Sequence, residues 1–368
     1  MRILVTGADG FIGKNLVLHI NERDDFSVIK FTRGDSTDAL QDFVEIADAV
    51  IHLAGENRPN DVSAFNIVNA DLTKLLCDVI HSSGKNIPLI LASSIQADLD
   101  NPYGKSKRAA EMAVEELARK TDNSVYIYRL PNVFGKWSKP NYNSVVATFC
   151  HNIANNLPIQ VRDASVKLSL VYIDDVISSF LQVIKKTTTG VSRPTIDVEY
   201  SITLGRLSEQ IRAFKNCRNN LVIENVGAGL ERALYSTYVS YLSPSKFSYT
   251  LPLHEDNRGV FVEMLKTRVN GQFSYFTAHP GMTRGGHYHH SKTEKFLVLK
   301  GSAKFGFRNV VTNEIFDLFT SGNEPQVVDT VPGWIHDITN IGEEDMIVLL
   351  WANEIFDRNS PDTIATKV

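Results

Sequence analysis

From Met1 to about Lys185 the chain alternates short β-branched runs with helical stretches. The runs are RILVTG, SVIKFT, DAVIHLAG, PLILASS and SVYIYRL, and amphipathic segments such as Thr73–Ser82 and Lys105–Lys120 lie between them. This alternation predicts a parallel sheet wound on both faces by helices. Two further helix-like pieces follow, ITLGRLSEQIRAF and LERALYSTYVSYL, and SPSKFSYTLPLHEDNRG then breaks the periodicity. Beyond it the texture changes to short strands in succession: GVFVEMLK, GQFSYFTAH, TEKFLVLKG, SAKFGFRN, EIFDLF, QVVDTVP and MIVLLWA. That pattern predicts an all-β sandwich or barrel of about 120 residues.

Length agrees with two domains. The chain has 368 residues, and a single core rarely grows past about 250–300. We place the domains at residues 1–245 and 246–368. The net charge of −4 offers no field for a nucleic-acid backbone or an anionic membrane. No apolar run approaches a membrane span, and the glycine-broken ILVTG start is unlike a signal peptide. Cys77, Cys150 and Cys217 form no CxxC pair, which points to a reducing compartment and a cytoplasmic location.

The first strand runs into Thr6-Gly7-Ala8-Asp9-Gly10-Phe11-Ile12-Gly13, and a helix continues from there. In this GxxGxxG turn, Gly7 permits the sharp bend. Gly10 lets backbone N–H groups approach a pyrophosphate, and Gly13 lets helix and strand pack closely. The second strand ends at Thr32-Arg33 rather than at an acidic residue. A hydroxyl and a guanidinium suit a 2′-phosphate, so NADP(H) is the expected cofactor. Asp35, two residues on, keeps NAD open.

Tyr103 and Lys107 form a YxxxK pair, one helical turn apart and so on one face. A neighbouring ammonium favours phenolate, and this predicts a tyrosine of lowered pKa usable as an acid near neutrality. PLILASS, just upstream, offers Ser93 and Ser94 to polarise a carbonyl, with Ser94 preferred. The pieces TGADGFIG, DAVIHLAG, ASS, YGKSK, RLPNVFG and VYIDDV together make residues 1–240 resemble an extended short-chain dehydrogenase acting on nucleotide sugars. The resemblance implies a Rossmann-type doubly wound sheet and catalytic roles for Ser94, Tyr103 and Lys107. It also implies cofactor contacts at Phe11, Ile12, Leu53 and Ala54, and diphosphate contacts at Asn132 and Arg232. Two departures bear on chemistry. Only eight residues separate Ser94 from Tyr103, and Ile95-Gln96-Ala97 replaces the Asp-Glu pair of nucleotide-sugar dehydratases. Dehydration is thereby disfavoured and ketone reduction remains.

In the second part, Gly281-x5-His287-x-His289-x4-Glu294-x6-Gly301 is followed by Gly333-x2-His336-x3-Asn340. His287 and His289 share a face on a strand. With Glu294 and His336 they make a donor set suited to a divalent ion, zinc before iron or manganese. These spacings resemble the two motifs of the cupin superfamily, except that Pro332-Gly333 lacks an intervening residue. TRGGHYHH also resembles keto-sugar 3,5-epimerases of the cupin fold, where a histidine at the place of His287 is a base. His287 is therefore ligand or base, with ligand preferred. His290 is expected to point outward.

A sugar reductase joined to a cupin over the whole chain resembles the bifunctional epimerase/reductases of capsule biosynthesis. That likeness implies C3 epimerisation of a UDP-2-acetamido-2,6-dideoxy-4-keto-hexose, then NADPH-dependent reduction at C4 to UDP-2-acetamido-2,6-dideoxy-β-L-talose on the way to UDP-N-acetyl-L-fucosamine. A homodimer is expected, since barrels of this type dimerise. Two other readings stand beside it: a reductase whose cupin only binds a partner or supports the structure, and a non-catalytic NADP-sensing regulator. The Tyr/Lys pair counts against the regulator.

Overall fold

The computed structural model describes residues 1–59, 61–186, 188–359 and 361–368. Five parallel strands form the first sheet: β1 (Arg2–Thr6), β2 (Ser27–Phe31), β3 (Ala49–His52), β4 (Leu89–Ser94) and β5 (Ser124–Leu130). Their order is β2-β1-β3-β4-β5, with Gly190–Ser192 added at the β5 edge. Both faces are covered, as a parallel sheet requires. Leu4, Val50, Leu89, Leu91 and Ile127 pack on one side with helix residues Leu76, Ile80 and Val114. Successive strand residues face opposite ways, so Ile3, Val5 and Ile51, equally buried, face the other layer.

The strands β1, β3 and β4 lead into the turns at 7–10, 53–58 and 95–99. Ligands of such sheets collect beyond the carboxyl ends of the strands. The long helix Pro102–Lys120 starts sharply: Asn101 caps it by accepting the Gly104 N–H at 2.8 Å, and Pro102 occupies the first turn. A three-stranded sheet, Asn132–Phe134, Lys167–Tyr172 and Tyr200–Thr203, lies beside this framework. Cys77 and Cys150 are buried and Cys217 half-buried, all as free thiols. Burial pushes the Cys77 thiol up to about 12.

The chain forms two compact units that are not consecutive in sequence. The first is Met1–Ile211 with Arg232–Leu242; the second is Arg212–Glu231 with Ser243–Val368. In the second, two mainly antiparallel sheets share one core. One has the path Val222–Ile223, Gly259–Thr267, Gly271–Ala278, Met346–Ala352, Glu294–Lys300, Val327–Asp329, with His254–Asp256 alongside. The other runs Ile315–Ser321, Ser302–Asn309, Trp334–Asn340, Thr283–Tyr288, Ile364–Ala365. Phe276, Phe296 and Val298 of the first sheet meet Phe305, Phe307 and Ile338 of the second. Each buried phenylalanine contributes about 2–3 kcal/mol. Among the described residues no helix is long and apolar enough to cross a membrane.

Candidate active site and candidate metal centre

In the first unit a cleft of about 1440 Å³ opens over the carboxyl ends of β1, β3 and β4. Its floor begins with the glycine turn. Gly7 has φ +70°, and a Cβ on Gly13 would sit 2.3 Å from the Gly7 carbonyl oxygen and 2.7 Å from that of Ala8. Only glycine lets the first helix, Phe11–Asn21, start so close to β1. Gly10, Phe11 and Ile12 line the cleft, as does Leu53. Ala54 lies behind them, its N–H donating to Thr6 Oγ1 at 3.2 Å. Arg33 also lines the cleft, although its side chain is 86% exposed and its Nη2 donates to Glu56 Oε2 at 2.9 Å. Asp35 Oδ2 accepts from the Thr32 N–H at 2.7 Å and its hydroxyl at 2.9 Å. The Asp35 carboxylate is thus spent on capping the turn.

Ser94, Tyr103 and Lys107 all line this cleft. The structure separates the two serines. Ser93 Oγ turns inward and donates to Glu111 Oε1 at 2.6 Å, whereas Ser94 acts on the Tyr103 phenol, lowering its pKa. Ser94 Oγ also accepts the Gln96 N–H at 3.1 Å and caps the short turn Ile95–Asp98. Burial raises the Tyr103 phenol above its ordinary value, and Ser94 opposes this. The expected lowering by Lys107 is therefore not found: burial dominates at this half-buried phenol, and the Lys107 ammonium has no part in its shift. Lys107 is buried and donates to the Ala92 carbonyl oxygen at 3.0 Å. Burial brings its ammonium down to about 8, with Glu111 pulling the other way.

Asn132 lines the cleft and donates to the Ser169 carbonyl oxygen at 3.0 Å. Arg232 is exposed and not among the lining residues; its charge acts on Tyr172 and Asp175 instead. Residues in and behind the cleft escaped the sequence reading: Tyr142 and Glu56 line it, and Asn69 holds Glu56 from behind. Asn69, in a wide helical turn at Asn66–Asp71, binds the Glu56 backbone from both sides at 2.8 and 2.9 Å and donates to Ser106 Oγ at 2.9 Å. Tyr142 donates to Glu56 Oε1 at 2.7 Å. An apolar-periodic helix start gives no sign of a wide turn, so Asn69 left no signal.

In the second unit one donor atom each from His287, His289, Glu294 and His336 lies within 4.8 Å of the others. The two glycines before His287 make this possible. Gly285 has φ +93°, and a Cβ there would lie 2.9 Å from the His336 carbonyl oxygen. The strand bulges between Gly285 and His287, which brings His287 opposite His336. Glu294 Oε2 lies 3.3 Å from His289 Nε2 and 3.4 Å from His336 Nε2. Lys292 Nζ holds the other oxygen at 3.1 Å. Burial would raise the Glu294 carboxyl, but both histidines and Lys292 hold it far below the carboxylate range. Burial, with His336 adding to it, brings His287 down to about 4 and keeps it neutral at pH 7. His336 Nε2 is buried without a well-aligned hydrogen bond. Three imidazoles, that of His287 kept neutral by burial, an ionised carboxylate and one buried ring nitrogen without a well-aligned hydrogen bond fit a divalent ion.

A supporting shell surrounds the cluster. His289 Nδ1 meets the Asp362 carbonyl oxygen. The Asp362 carboxylate accepts the N–H groups of His290, Ser291 and Lys292 at 2.7–2.8 Å. His290 is exposed, its ring against Tyr288, as expected of an outward residue. Asp362 and Lys292 went unseen in the sequence because neither belongs to the ligand spacing.

The comparisons with known proteins follow the same division. Residues 3–198 match the NAD dependent epimerase/dehydratase family, and residues 254–364 match the polysaccharide biosynthesis C-terminal domain. A Pseudomonas aeruginosa protein named UDP-2-acetamido-2,6-beta-L-arabino-hexul-4-ose reductase is 54% identical over 368 residues, covering 100% of this chain and 99% of that one. The crystal structure of the capsular polysaccharide assembling protein CapF from Staphylococcus aureus matches with a TM-score of 0.92 at 42% identity, covering 100% of both chains. A UDP-glucose 4-epimerase from Thermus thermophilus, solved with NAD, matches 66% of this chain and 99% of its own at 17% identity and a TM-score of 0.55, a likeness of fold alone.

Proposed function

This chain belongs to the NAD dependent epimerase/dehydratase family, and from that premise we propose that it reduces the C4 ketone of a UDP-2-acetamido-2,6-dideoxy-4-keto-hexose with NADPH after inverting C3, giving UDP-2-acetamido-2,6-dideoxy-β-L-talose for capsular polysaccharide. One arrangement carries the reading: Ser94, Tyr103 and Lys107 line the same cleft as the Gly10 turn, in a chain alike end to end to a UDP-sugar reductase.

Ser94 and Tyr103 donate hydrogen bonds to the ketone oxygen. Reduced dinucleotide, when bound, supplies the hydride to C4. As negative charge gathers on the oxygen, the Tyr103 phenol gives up its proton, and the raised phenol value keeps that proton in place until then. The Lys107 ammonium stabilises the phenolate left behind. Arg33 and Thr32 suit the 2′-phosphate, and Asn132 the sugar diphosphate. Arg232, which does not line the cleft, is a weaker candidate for that contact.

The second unit, read as a cupin, carries the epimerase step. His287, His289, Glu294 and His336 would hold a divalent ion, zinc by donor chemistry. Bound there, the ion supplies Lewis acidity to the ketone. The complete four-donor set favours His287 as ligand over base. Order follows from chemistry. A C3 proton is acidic only while C4 is a ketone, so inversion precedes reduction, and reduction locks the new configuration.

The test is incubation with a UDP-4-keto sugar in deuterated water. Deuterium at C3 without NADPH, and NADPH consumption on its addition, are expected. Tyr103→Phe should abolish reduction and spare exchange. Reduction that survives Tyr103→Phe would overturn the reductase site, and absence of exchange would leave the second unit a partner-binding module.

A further inference from the structure

One fully buried carboxylate next to the cleft has no part in the steps above. Glu111 is 0% exposed and sits one helical turn after Lys107, on the same face of the long helix. Ser93 of β4 donates to its Oε1 at 2.6 Å. Arg129 of β5 donates from Nε to Oε1 at 2.9 Å and from Nη2 to Oε2 at 2.7 Å. Arg108 donates from Nη1 to Oε2 at 2.9 Å and shares that atom with Glu115. Asp98 takes another nitrogen of Arg129, and Arg193 also binds Glu115. Three carboxylates thus face three guanidinium groups, and the set is neutral.

A buried ion pair of this kind adds little net stability over apolar packing, so its placement calls for another account. The cluster joins β4, β5 and the long helix directly behind the strand end that presents Ser94. Lys107 meets charged or titratable groups from few directions. His52 of β3, held neutral between Thr6 and Thr73 hydroxyls, lies on one side, and Glu111, one turn on along its own helix, on another; Tyr103 stands one turn before it. The Ala92 carbonyl of β4 is its hydrogen-bond partner, and the β3–α loop closes over it at Gly55. Among the described residues Glu111 is the one carboxylate acting on that ammonium.

We propose that Glu111 is a positioning residue of the reductase site: through Ser93 and Arg129 it fixes the long helix against β4 and β5, and its negative charge keeps Lys107 protonated beside Tyr103. This inference rests on the reductase reading given above. Removing the charge leaves the cluster net positive beneath Lys107, which favours the neutral amine. Lys107 then loses its proton at lower pH, and turnover falls off earlier as pH rises.

The experiment is the pH profile of kcat and KM for NADPH-dependent reduction, measured on the full chain. Glu111→Gln is expected to move the alkaline fall in kcat down by about one pH unit, with KM for the UDP-4-keto sugar unchanged. Glu111→Asp keeps the charge and should return the profile towards that of the unaltered protein. Arg108→Gln, at a half-exposed position and with Arg129 still paired to Glu111, removes a positive partner and should move the fall upward. The opposite signs separate this role from mere scaffolding, which would lower kcat equally at all pH. If Glu111→Gln does not fold, Arg108→Gln alone decides: an unmoved or downward profile overturns the inference. Reduction by the unaltered protein with unmoved profiles in the variants refutes this inference alone. Absence of reduction in the unaltered protein refutes the reductase reading and this inference with it.

Discussion

Replacing Gly13 by alanine tests the glycine turn most sharply. The new methyl carbon would stand 2.3 Å from the Gly7 carbonyl oxygen and 2.7 and 2.8 Å from the Ala8 oxygen and carbonyl carbon. All three are backbone atoms, so no side chain can swing aside, and the first helix must back away from β1 by about 1 Å. Overpacking of a well-filled site costs about 1–3 kcal/mol, and rigid neighbours on two sides put this case near 3. Alanine in place of glycine returns about 1 kcal/mol of helix propensity. The net loss is about 2 kcal/mol, or about 4–8 °C in Tm for a unit of this size. Gly10→Ala is the matched control. Its methyl would lie 3.1 Å from one oxygen, a tight but tolerable approach, while Gly10 itself lines the cleft. Scanning calorimetry and NADPH fluorescence titration should then part the two variants. Gly13→Ala loses Tm and affinity together, and Gly10→Ala keeps Tm and loses affinity. A Gly13→Ala protein with unchanged Tm would refute the claim that close helix–strand approach holds this turn.

Other expectations follow from the same geometry. Arg33→Ala should narrow the ratio of NADPH to NADH affinity by about tenfold, the worth of one charge-assisted phosphate contact, while NADH binding holds; equilibrium titration of both coenzymes checks it. His52 and His287 titrate near 3 and 4 in the folded chain against about 6.5 unfolded. The unfolded chain therefore binds more protons between those values, and stability must fall as pH drops from about 6.5 towards 4. Chemical denaturation across that range should show the loss, and a His287→Gln variant should lose less. Asp362→Ala frees the loop that carries His289 and should weaken zinc binding by about tenfold, as measured by competition with a chelating dye.

Much of this site was legible before any coordinates. Period-2 and helical spacing set out both halves, and the donors His287, His289, Glu294 and His336 followed from spacing alone. What stayed hidden depends on distant pieces of chain meeting. Ser93 and Ser94 are neighbours of equal chemistry, and only the inward Glu111 tells them apart. Asp362 lies about seventy residues beyond the loop it caps. The Tyr103 phenol moved up rather than down because half-burial is a property of the fold, invisible in a YxxxK spacing. Arg232 looked apt by charge, yet its helix turns it towards Asp175.

The interleaving of the two units has a practical reach. Because Arg212–Glu231 belongs with the later part and Arg232–Leu242 with the earlier one, no single scission yields two intact pieces. A fragment begun at residue 246 would lack Val222–Ile223, which pairs with the strand Gly259–Thr267. On the ribosome, the reductase half stays incomplete until Leu242 has emerged, by which time part of its neighbour is already made. Gene fusions or shuffled hybrids that swap one half must therefore exchange two stretches at once.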